Sequence, residues 1–329
     1  MKNNFTKPVI IIRKKIEGEN SIEEVARRIK LLCDVEILEC PYNSTSIMNV
    51  VKNIFFIRKF KFNVVHIISP TEAYLLCFIK ASKKIITYHD LGTLNSSRNF
   101  LYKIIKKNLY IAPSIHYADE ITFVSFQTQR EFVEETNFKN INKLHVIYNS
   151  YDERLKYVKN MKNNLFTIFH IGTSPRKNLS GMLEACKEIK DIKFIIVGKL
   201  TDEQHKKLVK YNYIYENYFD CSFEQIVNFY NCCDLVSFPT FYEGFGLPAI
   251  EANAVGKPVI VSDIPIMHEI CNDAALFVDP YNQSEIKNAV ERIMNDTALQ
   301  EKIINNGFEN IKKFKINNIC KQYNDLYKG

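Results

Sequence analysis

The chain has 329 residues, 46% of them hydrophobic, with 44 basic and 37 acidic side chains, a composition typical of a globular protein of about two domains. Nine cysteines occur without a C-x-x-C spacing, which argues against zinc ribbons and thioredoxin-like redox chemistry. The sequence shows neither the pattern of a signal peptide nor an apolar run of transmembrane length. We therefore expect a cytoplasmic protein, either soluble or peripheral on the inner face of the cytoplasmic membrane.

The first half of the chain alternates between short apolar runs and amphipathic helical patterns. Residues 8–13 predict the first strand and residues 21–33 a helix, with Gly18 in the loop between them. Further strands are predicted at residues 34–39, 63–69, 84–89, 120–125 and 143–149. Because apolar, β-branched strands that alternate with helices form parallel sheets covered on both faces, we predict an α/β fold with a doubly wound parallel sheet.

One predicted strand of this half ends in a polar residue of interest, His89, within the segment Thr87-Tyr88-His89-Asp90. Ligands of open parallel sheets gather at the carboxyl ends of the strands, which makes His89 a candidate ligand-binding side chain. The alternative, a structural histidine, is the more common fate of a lone histidine and stays open here. His66 lies inside a strand pattern, and we predict that it is a core or sheet-edge residue.

The positive charge of the protein is concentrated in its first half. Residues 1–155 carry 23 basic and 16 acidic side chains, whereas residues 156–329 carry 21 of each. Between residues 50 and 107, 11 basic side chains stand against 2 acidic ones, with phenylalanines interleaved. This run is either a solvated face or a surface that docks on anionic lipid. No recognisable nucleic-acid-binding motif accompanies it, so we do not expect nucleic acid as a partner.

A second strand–helix alternation follows a polar, lysine-rich connection at residues 153–163. Its strands are predicted at residues 165–171, 192–198, 211–215, 235–239, 258–262 and 276–278, and its helices at residues 179–189, 284–294, 297–310 and 316–327. We therefore divide the chain into a first domain at 1–155, a second at 156–310 and a final helical segment at 311–329.

The first motif of the second domain joins a strand end to a helix start and contains Gly172, Thr173, Arg176 and Lys177. Basic side chains at a helix N-terminus are unfavourable for the helix itself, which suggests that an anion lies between them. A solvated basic turn is the alternative.

The second motif, residues 242–251, follows a buried strand and leads into a helix. Gly244 and Gly246 allow the backbone to approach a ligand closely, and the helix start offers a positive dipole end and N–H groups to an anion, with the amides of Phe245, Gly246 and Leu247 as the candidate donors. Glu243 lies in the loop and Glu251 on the helix. Carboxylates placed where an anion would bind suggest recognition of hydroxyls beside a phosphate, as in a sugar nucleotide.

The same glycines also spell G-x-G-x-x-A, with Asp263 at the end of the next strand, which is the spacing of a dinucleotide-binding fingerprint. Two features argue against this alternative. Three residues separate Thr240 from the first glycine, where a dinucleotide-binding turn is tighter, and Glu243 would direct a carboxylate toward a pyrophosphate.

Glu243 and Glu251, followed by Gly256-Lys257-Pro258-Val259, resemble the E-x7-E signature of family 4 glycosyltransferases. The resemblance is dense from residue 169 to residue 280 and looser before that. It implies the GT-B fold, two facing Rossmann-like domains with doubly wound parallel sheets and a cleft between them. It also implies sugar transfer with retention of configuration, without a metal, and a final helix that crosses back onto the first domain.

The resemblance also implies roles for the candidate residues. Glu251 would hold the ribose, Glu243 and His89 the sugar, and Lys177 with Arg176 the diphosphate. The donor would further be bound by the backbone at Gly172, Thr173, Gly244, Phe245, Gly246 and Leu247, with Gly18 near the diphosphate. The sequence contains no D-x-D motif to seat a divalent ion.

These features predict a retaining, metal-independent glycosyltransferase that needs no cofactor. It would move a sugar from a nucleoside-diphosphate sugar to a saccharide or lipid-linked saccharide acceptor, in the synthesis of bacterial surface polysaccharide or lipopolysaccharide. An anionic membrane surface is an additional candidate partner. A sugar-nucleotide epimerase and a catalytically silent sugar-nucleotide-binding partner subunit are the alternatives.

Overall fold

The computed structural model describes residues 3–15, 21–92, 106–157 and 164–329, so Gly18 lies outside the described residues. The chain divides into two compact units. The first unit contains Met1–Ser150 and Ile316–Gly329, and the second contains Tyr151–Lys315. The domain limits predicted from the sequence, at residues 155 and 310, lie close to these boundaries.

Each unit is built on one parallel sheet. The strands of the first sheet are β1 (Asn3–Phe5), β2 (Val9–Ile12), β3 (Glu36–Glu39), β4 (Phe60–Ile67), β5 (Ala81–Tyr88), β6 (Glu120–Phe123) and β7 (Leu144–Val146). Those of the second are β8 (Phe166–Ile171), β9 (Ile192–Val197), β10 (Ile214–Tyr218), β11 (Leu235–Phe238), β12 (Val259–Ser262) and β13 (Leu276–Val278).

The described α-helices are α1 (Ser21–Leu32), α2 (Ile47–Ile57), α3 (Ala112–Tyr117), α4 (Phe126–Thr136), α5 (Leu179–Ala185), α6 (Asp202–Lys210), α7 (Phe223–Cys232), α8 (Leu247–Ala254), α9 (Pro265–Cys271), α10 (Gln283–Asn295), α11 (Thr297–Asn310) and α12 (Ile316–Lys328). Short 3-10 helices include Pro70–Cys77, Pro175–Lys177 and Ile311–Phe314. Among the described residues, no helix is long and apolar enough to cross a membrane.

The order of the strands shows where each sheet changes direction. The first sheet has the order β3-β2-β4-β5-β6-β7, with β1 beside the start of β4, and the second has the order β10-β9-β8-β11-β12-β13. In the first sheet the chain adds β3 on one side of β2 and then β4 to β7 on the other side. In the second sheet it adds β9 and β10 on one side of β8 and then β11 to β13 on the other side. The switch points therefore lie between β2 and β4 and between β8 and β11, and ligands of such sheets bind outside the carboxyl ends of the strands at a switch point.

The sheets are buried on both faces, as their sequences predict. All four residues of β2, Val9-Ile10-Ile11-Ile12, are buried, and so are all four of β11 and of β12. Helices cover both sides of each sheet, which is why these strands lack an alternation of polar and apolar residues. This arrangement confirms the predicted α/β class with two doubly wound parallel sheets.

The final helix belongs to the first unit. Buried residues of α12, including Ile319 and Tyr323, pack with Ala26 and Ile29 of α1 on one face of the first sheet. Tyr327 of the same helix lies 2.8 Å, through its hydroxyl, from Nδ1 of His66. His66 is fully buried, as predicted for a core residue.

Some element boundaries differ from the prediction. Residues 211–215 were predicted as a strand, but β10 begins at Ile214 because the amide of Tyr211 still bonds the carbonyl of Lys207 in α6. Asn212 then turns the chain with a positive φ of 53°. The predicted helix at 179–189 is shorter, since α5 ends at Ala185, and β1 was not predicted.

Candidate functional site

The two motifs of the second unit lie side by side at its switch point. Residues 172–178 follow β8 and residues 239–246 follow β11, and these two strands are paired. Backbone bonds also join the loops, since the amide of Phe241 donates to the carbonyl of Arg176 at 2.8 Å. The parallel topology thus brings together two segments that are far apart in the sequence.

A lysine and a carboxylate meet between the loops. Lys177 Nζ lies 2.6 Å from Glu243 Oε1, and both side chains are largely buried. The ammonium group also lies 4.5 Å from the centre of the Phe238 ring, close enough for a cation–π contact. Thr240 Oγ1 is 3.2 Å from the same carboxylate oxygen. Phe238 contacts the lysine and Thr240 contacts the carboxylate, so neighbouring side chains position both members of the pair.

Arg176 supports the same carboxylate from a more exposed position. Its NH1 atom lies 3.3 Å from Glu243 Oε1 and also donates to the carbonyl of Tyr242 at 3.3 Å. The side chain of Arg176 is 46% exposed, whereas that of Lys177 is 15% exposed. Two cations therefore flank Glu243, and the second could turn toward an added anion without disturbing buried structure.

Gly172 is required by the position of Lys177. Gly172 has a φ of +96°, and a Cβ atom there would lie 2.8 Å from Cγ of Lys177. Thr173, predicted to contact the donor, directs its hydroxyl to the carbonyl of Lys199 at 2.7 Å. Thr173 therefore ties this loop to the end of β9.

Asn178 was not singled out in the sequence, although it holds three loops together. Its side-chain amide donates to the carbonyls of Pro239, at 3.0 Å, and Pro280, at 2.8 Å. The residue is buried and has a positive φ of 61°. An asparagine directly before a predicted helix is a signal that could have identified it, because asparagine tolerates the left-handed region at such positions.

The glycine-rich loop ends at the start of α8. Gly246 precedes the helix with a φ of +103°, and a Cβ atom there would lie 2.5 Å from Cε of Met267. Gly244 and Phe245 are buried, and the Phe245 ring packs against Phe314 at 5.6 Å. The side chain of Phe245 is thus engaged in packing, which leaves the backbone of this residue as its candidate ligand contact.

The length of this loop bears on the dinucleotide-binding alternative. β11 ends at Phe238 and α8 begins at Leu247, so eight residues separate the strand from the helix. A dinucleotide fingerprint needs a tight turn from strand to helix. The loop therefore does not match that fingerprint.

Glu251 lies on α8, one turn from its end, and is largely buried. Its Oε2 atom accepts a hydrogen bond from the hydroxyl of Tyr230 at 2.9 Å. Tyr230 lies on α7, and its contact with Glu251 was not foreseen from the sequence. This bond orients the carboxylate.

A buried histidine below the lysine was also missed. His170, in β8, is fully buried, and its Nδ1 atom lies 3.1 Å from the hydroxyl of Ser237 in β11. Burial, together with the nearby charge of Lys177, lowers the pKa of His170 to about 3. The imidazole is therefore neutral at physiological pH, and it adds no second charge beneath the Lys177–Glu243 pair.

The carboxyl edge of the first sheet has a different character. His89 follows β5, and in the part of the chain that the structure describes its buried Nε2 atom has no hydrogen-bond partner. Burial lowers the pKa of His89 to about 4, opposed by a hydrogen bond to the carbonyl of Ile68. At the neighbouring switch point, Arg13 pairs with Glu23 at 3.0 Å. His89 is thus a neutral imidazole with one unused polar atom.

An open cavity of about 480 Å³ borders the ends of β9 and β10 in the second unit. It is lined by Lys199, Leu200, Thr201, Asp202, His205, Asn217 and Phe219. The bond between Thr173 and the Lys199 carbonyl connects this cavity to the loop that carries Lys177. None of its lining residues was selected from the sequence, because they do not form a motif.

Two family models match the chain in succession. The model of Glycosyltransferase Family 4 matches residues 17–155, and that of Glycosyl transferases group 1 matches residues 151–310. The second match contains both glutamates and the lysine of the site.

Individual proteins agree with these matches. The O-antigen chain mannosyltransferase RfbU of Salmonella typhimurium is 30% identical over 219 residues, which are 63% of this chain and 60% of that relative. O-antigen chain mannosyltransferase B of Escherichia coli is 27% identical over 48% of this chain and 45% of its own length. The chain therefore covers less than two thirds of either relative.

Among solved structures, Anabaena Alr3699/HepE in complex with UDP and glucose superposes with a TM-score of 0.78 at 16% identity. The superposition covers 98% of this chain and 99% of that one. At this identity the likeness shows the fold alone, which is the predicted GT-B fold. Taken together, fold and family matches show that the chain belongs to the family 4-like glycosyltransferases.

Proposed function

We propose that this glycosyltransferase moves a sugar, with retention of anomeric configuration, from a nucleoside-diphosphate sugar to a saccharide or lipid-linked saccharide acceptor. The observation that carries the proposal is the buried pair of Lys177 and Glu243, 2.6 Å apart at the switch point of the second sheet. A donor diphosphate needs a cation, and the adjoining sugar offers hydroxyls to a carboxylate. In a sugar diphosphate, the sugar is covalently bonded to the diphosphate. Lys177 and Glu243 are close enough to bind these two adjoining groups at the same time.

In the proposed complex the diphosphate displaces part of the Lys177–Glu243 contact. Lys177, with the more exposed Arg176 and the amides of residues 245–247, would bind the phosphate oxygens. Glu243 would then turn its carboxylate to the hydroxyls of the sugar. Glu251, oriented by Tyr230, would accept hydrogen bonds from the ribose hydroxyls.

The proposed transfer breaks the bond between the anomeric carbon and the diphosphate oxygen and forms a bond from that carbon to the acceptor oxygen. The proton of the acceptor hydroxyl goes to the leaving diphosphate, whose charge Lys177 and Arg176 stabilise. We favour attack from the same face over a covalent intermediate, because no enzyme nucleophile is evident and Glu243 is proposed to bind the hydroxyls of the sugar.

The cavity at the ends of β9 and β10 is our candidate for the nucleobase. It lies beside the Thr173 loop, and Phe219 offers an aromatic face to a base. Lys199, Asp202 and Asn217 supply donors and acceptors that could distinguish one base from another.

The acceptor class is inferred from the relatives. Both mannosyltransferases described above are named for the O-antigen chain. We propose by analogy that the acceptor belongs to surface polysaccharide or lipopolysaccharide synthesis and that the protein acts at the inner face of the cytoplasmic membrane. His89 is proposed as a candidate for binding a sugar hydroxyl on the first unit through its Nε2 atom.

A screen of nucleoside-diphosphate sugars by thermal shift tests the donor. A donor at 100 times its dissociation constant stabilises the folded protein by about 2.7 kcal/mol. The donor that raises Tm most is then incubated with saccharide acceptors, and the anomeric configuration of the product is read by NMR. An inverted product would contradict the proposed stereochemistry, and the absence of any shift across the donors would contradict the donor class.

The reaction is proposed to need no metal, because Lys177, Arg176 and the start of α8 can carry the diphosphate charge. Transfer should therefore continue in EDTA at its usual rate. Strict dependence on added magnesium or manganese would show that this interpretation is wrong.

The same preparation separates the two alternatives. An epimerase would convert the donor sugar without any acceptor, and a silent partner subunit would bind donor without ever releasing nucleotide. Release of nucleotide only when acceptor is present would support transfer over both.

A further inference from the structure

The helix α2 presents an apolar stripe to solvent. Ile47, Met48, Val51 and Phe55 are 85%, 68%, 42% and 64% exposed, respectively. At 100° per residue these four positions fall within an arc of about 100° on one side of the helix. The other side carries the buried residues, which include Ile57, so the helix is anchored through its opposite face. Large apolar side chains in such a stripe indicate a binding surface.

Basic side chains lie beside the stripe and beyond its C-terminal end. Lys52 lies beside it on the helix, and Arg58, Lys59 and Lys61 follow its C-terminal end, all of them exposed. The sequence contains no aspartate or glutamate between residues 40 and 71. Among the described residues, the four cations take part in no ion pair. We call the stripe and these four cations the α2 surface.

The structure narrows the basic region predicted at residues 50–107. Lys83 donates to the carbonyl of Leu326 at 2.7 Å, and Lys107 pairs with Glu135 at 3.3 Å, so neither is available as a free cation. Phe62 is buried and stacks on Phe5 at 5.4 Å. Arg98 and Lys103 lie outside the described residues. Within the described residues of this region, the α2 surface combines four cations that form no ion pair with four exposed apolar side chains.

We propose that the α2 surface docks on an anionic lipid bilayer. The stripe would insert at the boundary between headgroups and acyl chains, with the helix parallel to the membrane, while Lys52, Arg58, Lys59 and Lys61 contact lipid phosphates. A helix with one apolar face and a basic polar rim binds interfaces in this way, and two weak signals, insertion and charge, reinforce each other.

Two other occupants fit the α2 surface less well. In a symmetric dimer the same surface meets itself, so its cations would face one another, with no acidic residue between positions 40 and 71 to pair with them. Four side chains also cover far less than the roughly 800 Å² per partner of a stable interface. A nucleic acid would use the cations but leave Ile47, Met48, Val51 and Phe55 in water.

Docking on a bilayer would hold the enzyme where lipid-linked acceptors are found, so the biological role of the docking rests on the proposed function. The test of docking is independent of that function, since vesicle binding is measured without donor or acceptor. Loss of transfer and loss of docking are therefore distinguishable.

The chain has no tryptophan, so a single introduced one is a clean depth probe. Phe55→Trp places it in the stripe, and Val209→Trp places it on an equally exposed position of α6 in the second unit. With phosphatidylglycerol vesicles at low salt, we expect a blue shift and quenching by brominated acyl chains for Phe55→Trp and neither for Val209→Trp. Binding of the Phe55→Trp protein without any quenching would overturn insertion of the stripe.

Charge reversal tests the contribution of the cations of the α2 surface. The triple variant Arg58→Glu, Lys59→Glu and Lys61→Glu is compared with Lys139→Glu, Lys190→Glu and Lys302→Glu, which make the same change of charge at exposed lysines elsewhere. We expect the first variant to lose at least about tenfold in vesicle affinity and the control to lose little. High salt should weaken wild-type binding, because it shortens the screening length to a few ångströms.

Three outcomes would overturn the proposal. Equal loss in both triple variants would show that only net charge matters, and wild-type protein that stays in the supernatant at low salt would show that the surface does not bind lipid. A wild-type dimer that becomes monomeric on Phe55→Ser would assign the stripe to a second copy of the chain.

Discussion

The carboxyl edges of the two sheets follow the same topological rule but carry different chemistry. The edge of the second sheet is charged, with Lys177 and Arg176 on either side of Glu243. The edge of the first sheet presents a neutral imidazole at His89, whose pKa burial lowers to about 4. Lys177 and Arg176 beside a helix start suit a diphosphate, whereas the neutral imidazole of His89 suits hydroxyl groups, and this difference supports the proposal that the donor phosphate binds the second unit.

The two edges can also be compared by how well their polar groups are satisfied, because each unit buries one histidine nitrogen, Nε2 of His170 or Nε2 of His89, that has no hydrogen-bond partner among the described residues. On the second unit the cations and the carboxylate satisfy one another before any ligand arrives, and a neutral His170 lies below them. The two atoms differ in position, because His170 lies within β8, whereas His89 follows the end of β5, where ligands of parallel sheets gather. Such an atom carries a desolvation penalty that a bound hydroxyl would relieve.

The strongest test of the charged edge is Glu243→Gln. The substitution keeps the shape of the side chain but removes the charge, and we expect transfer to fall by at least about 100-fold, in line with losing a preorganised electrostatic contact. Tm should fall as well, because the substitution leaves the largely buried Lys177 without its carboxylate partner, so activity is compared well below the Tm of the variant. The matched control is Glu203→Gln, at an exposed position of the same unit. Activity of Glu243→Gln within a few-fold of wild type would remove Glu243 from the site.

The next test separates the two cations. Lys177→Ala should cost about 2 kcal/mol of transition-state stabilisation, which is about 30-fold in kcat/KM. Arg176→Ala should cost less, because Arg176 is more exposed and lies farther from Glu243. Steady-state kinetics with the identified donor give both values. An equal loss in the two variants would contradict the ranking that burial implies.

The dependence of the free energy of unfolding on acid pH tests the buried histidines of both units. Burial lowers the pKa of His66 and His170 to about 3 and that of His89 to about 4, from an ordinary value of 6.5. The unfolded chain therefore binds more protons than the folded one below pH 6.5. Stability should fall as the pH drops from 6.5 toward 4, by up to about 1.4 kcal/mol per pH unit for each histidine.

Denaturant melts at several pH values measure that slope. Since His66 and His89 lie in the first unit and His170 in the second, His66→Asn should flatten the acid loss of stability without abolishing it. A slope unchanged by His66→Asn would mean that other groups cause the acid response.

The smallest expected effect is that of Tyr230→Phe. It removes the hydroxyl that donates to Glu251 and leaves the ring in place, so we expect donor affinity to fall by a few-fold, about 1 kcal/mol for one hydrogen bond. Titration calorimetry with the donor provides the measurement. Tyr218→Phe is the control, since its hydroxyl bonds Glu216 at the edge of the sheet.

Much of the fold was predictable because its signals are local. The buried strands of both sheets are continuous apolar runs, and Gly172 and Gly246 lie where positive φ is needed. The meeting of Lys177 with Glu243 was not predictable from local pattern, because 66 residues separate them and only the pairing of β8 with β11 joins their loops. Asn178, Tyr230 and His170 were missed for the same reason. Their roles depend on neighbours that are remote in sequence.

The membership of α12 in the first unit has a consequence for the order of folding. Tyr323 and Tyr327 complete a core whose other members include residues of α1 and the first strands, and Cys320 of the same helix is made 291 residues after Ile29. The second unit has all of its residues earlier in the chain, in Tyr151–Lys315. During synthesis, the first unit therefore cannot complete its core until the whole second unit has been made, and the surfaces of α1 and the strands that α12 covers stay exposed until that helix emerges.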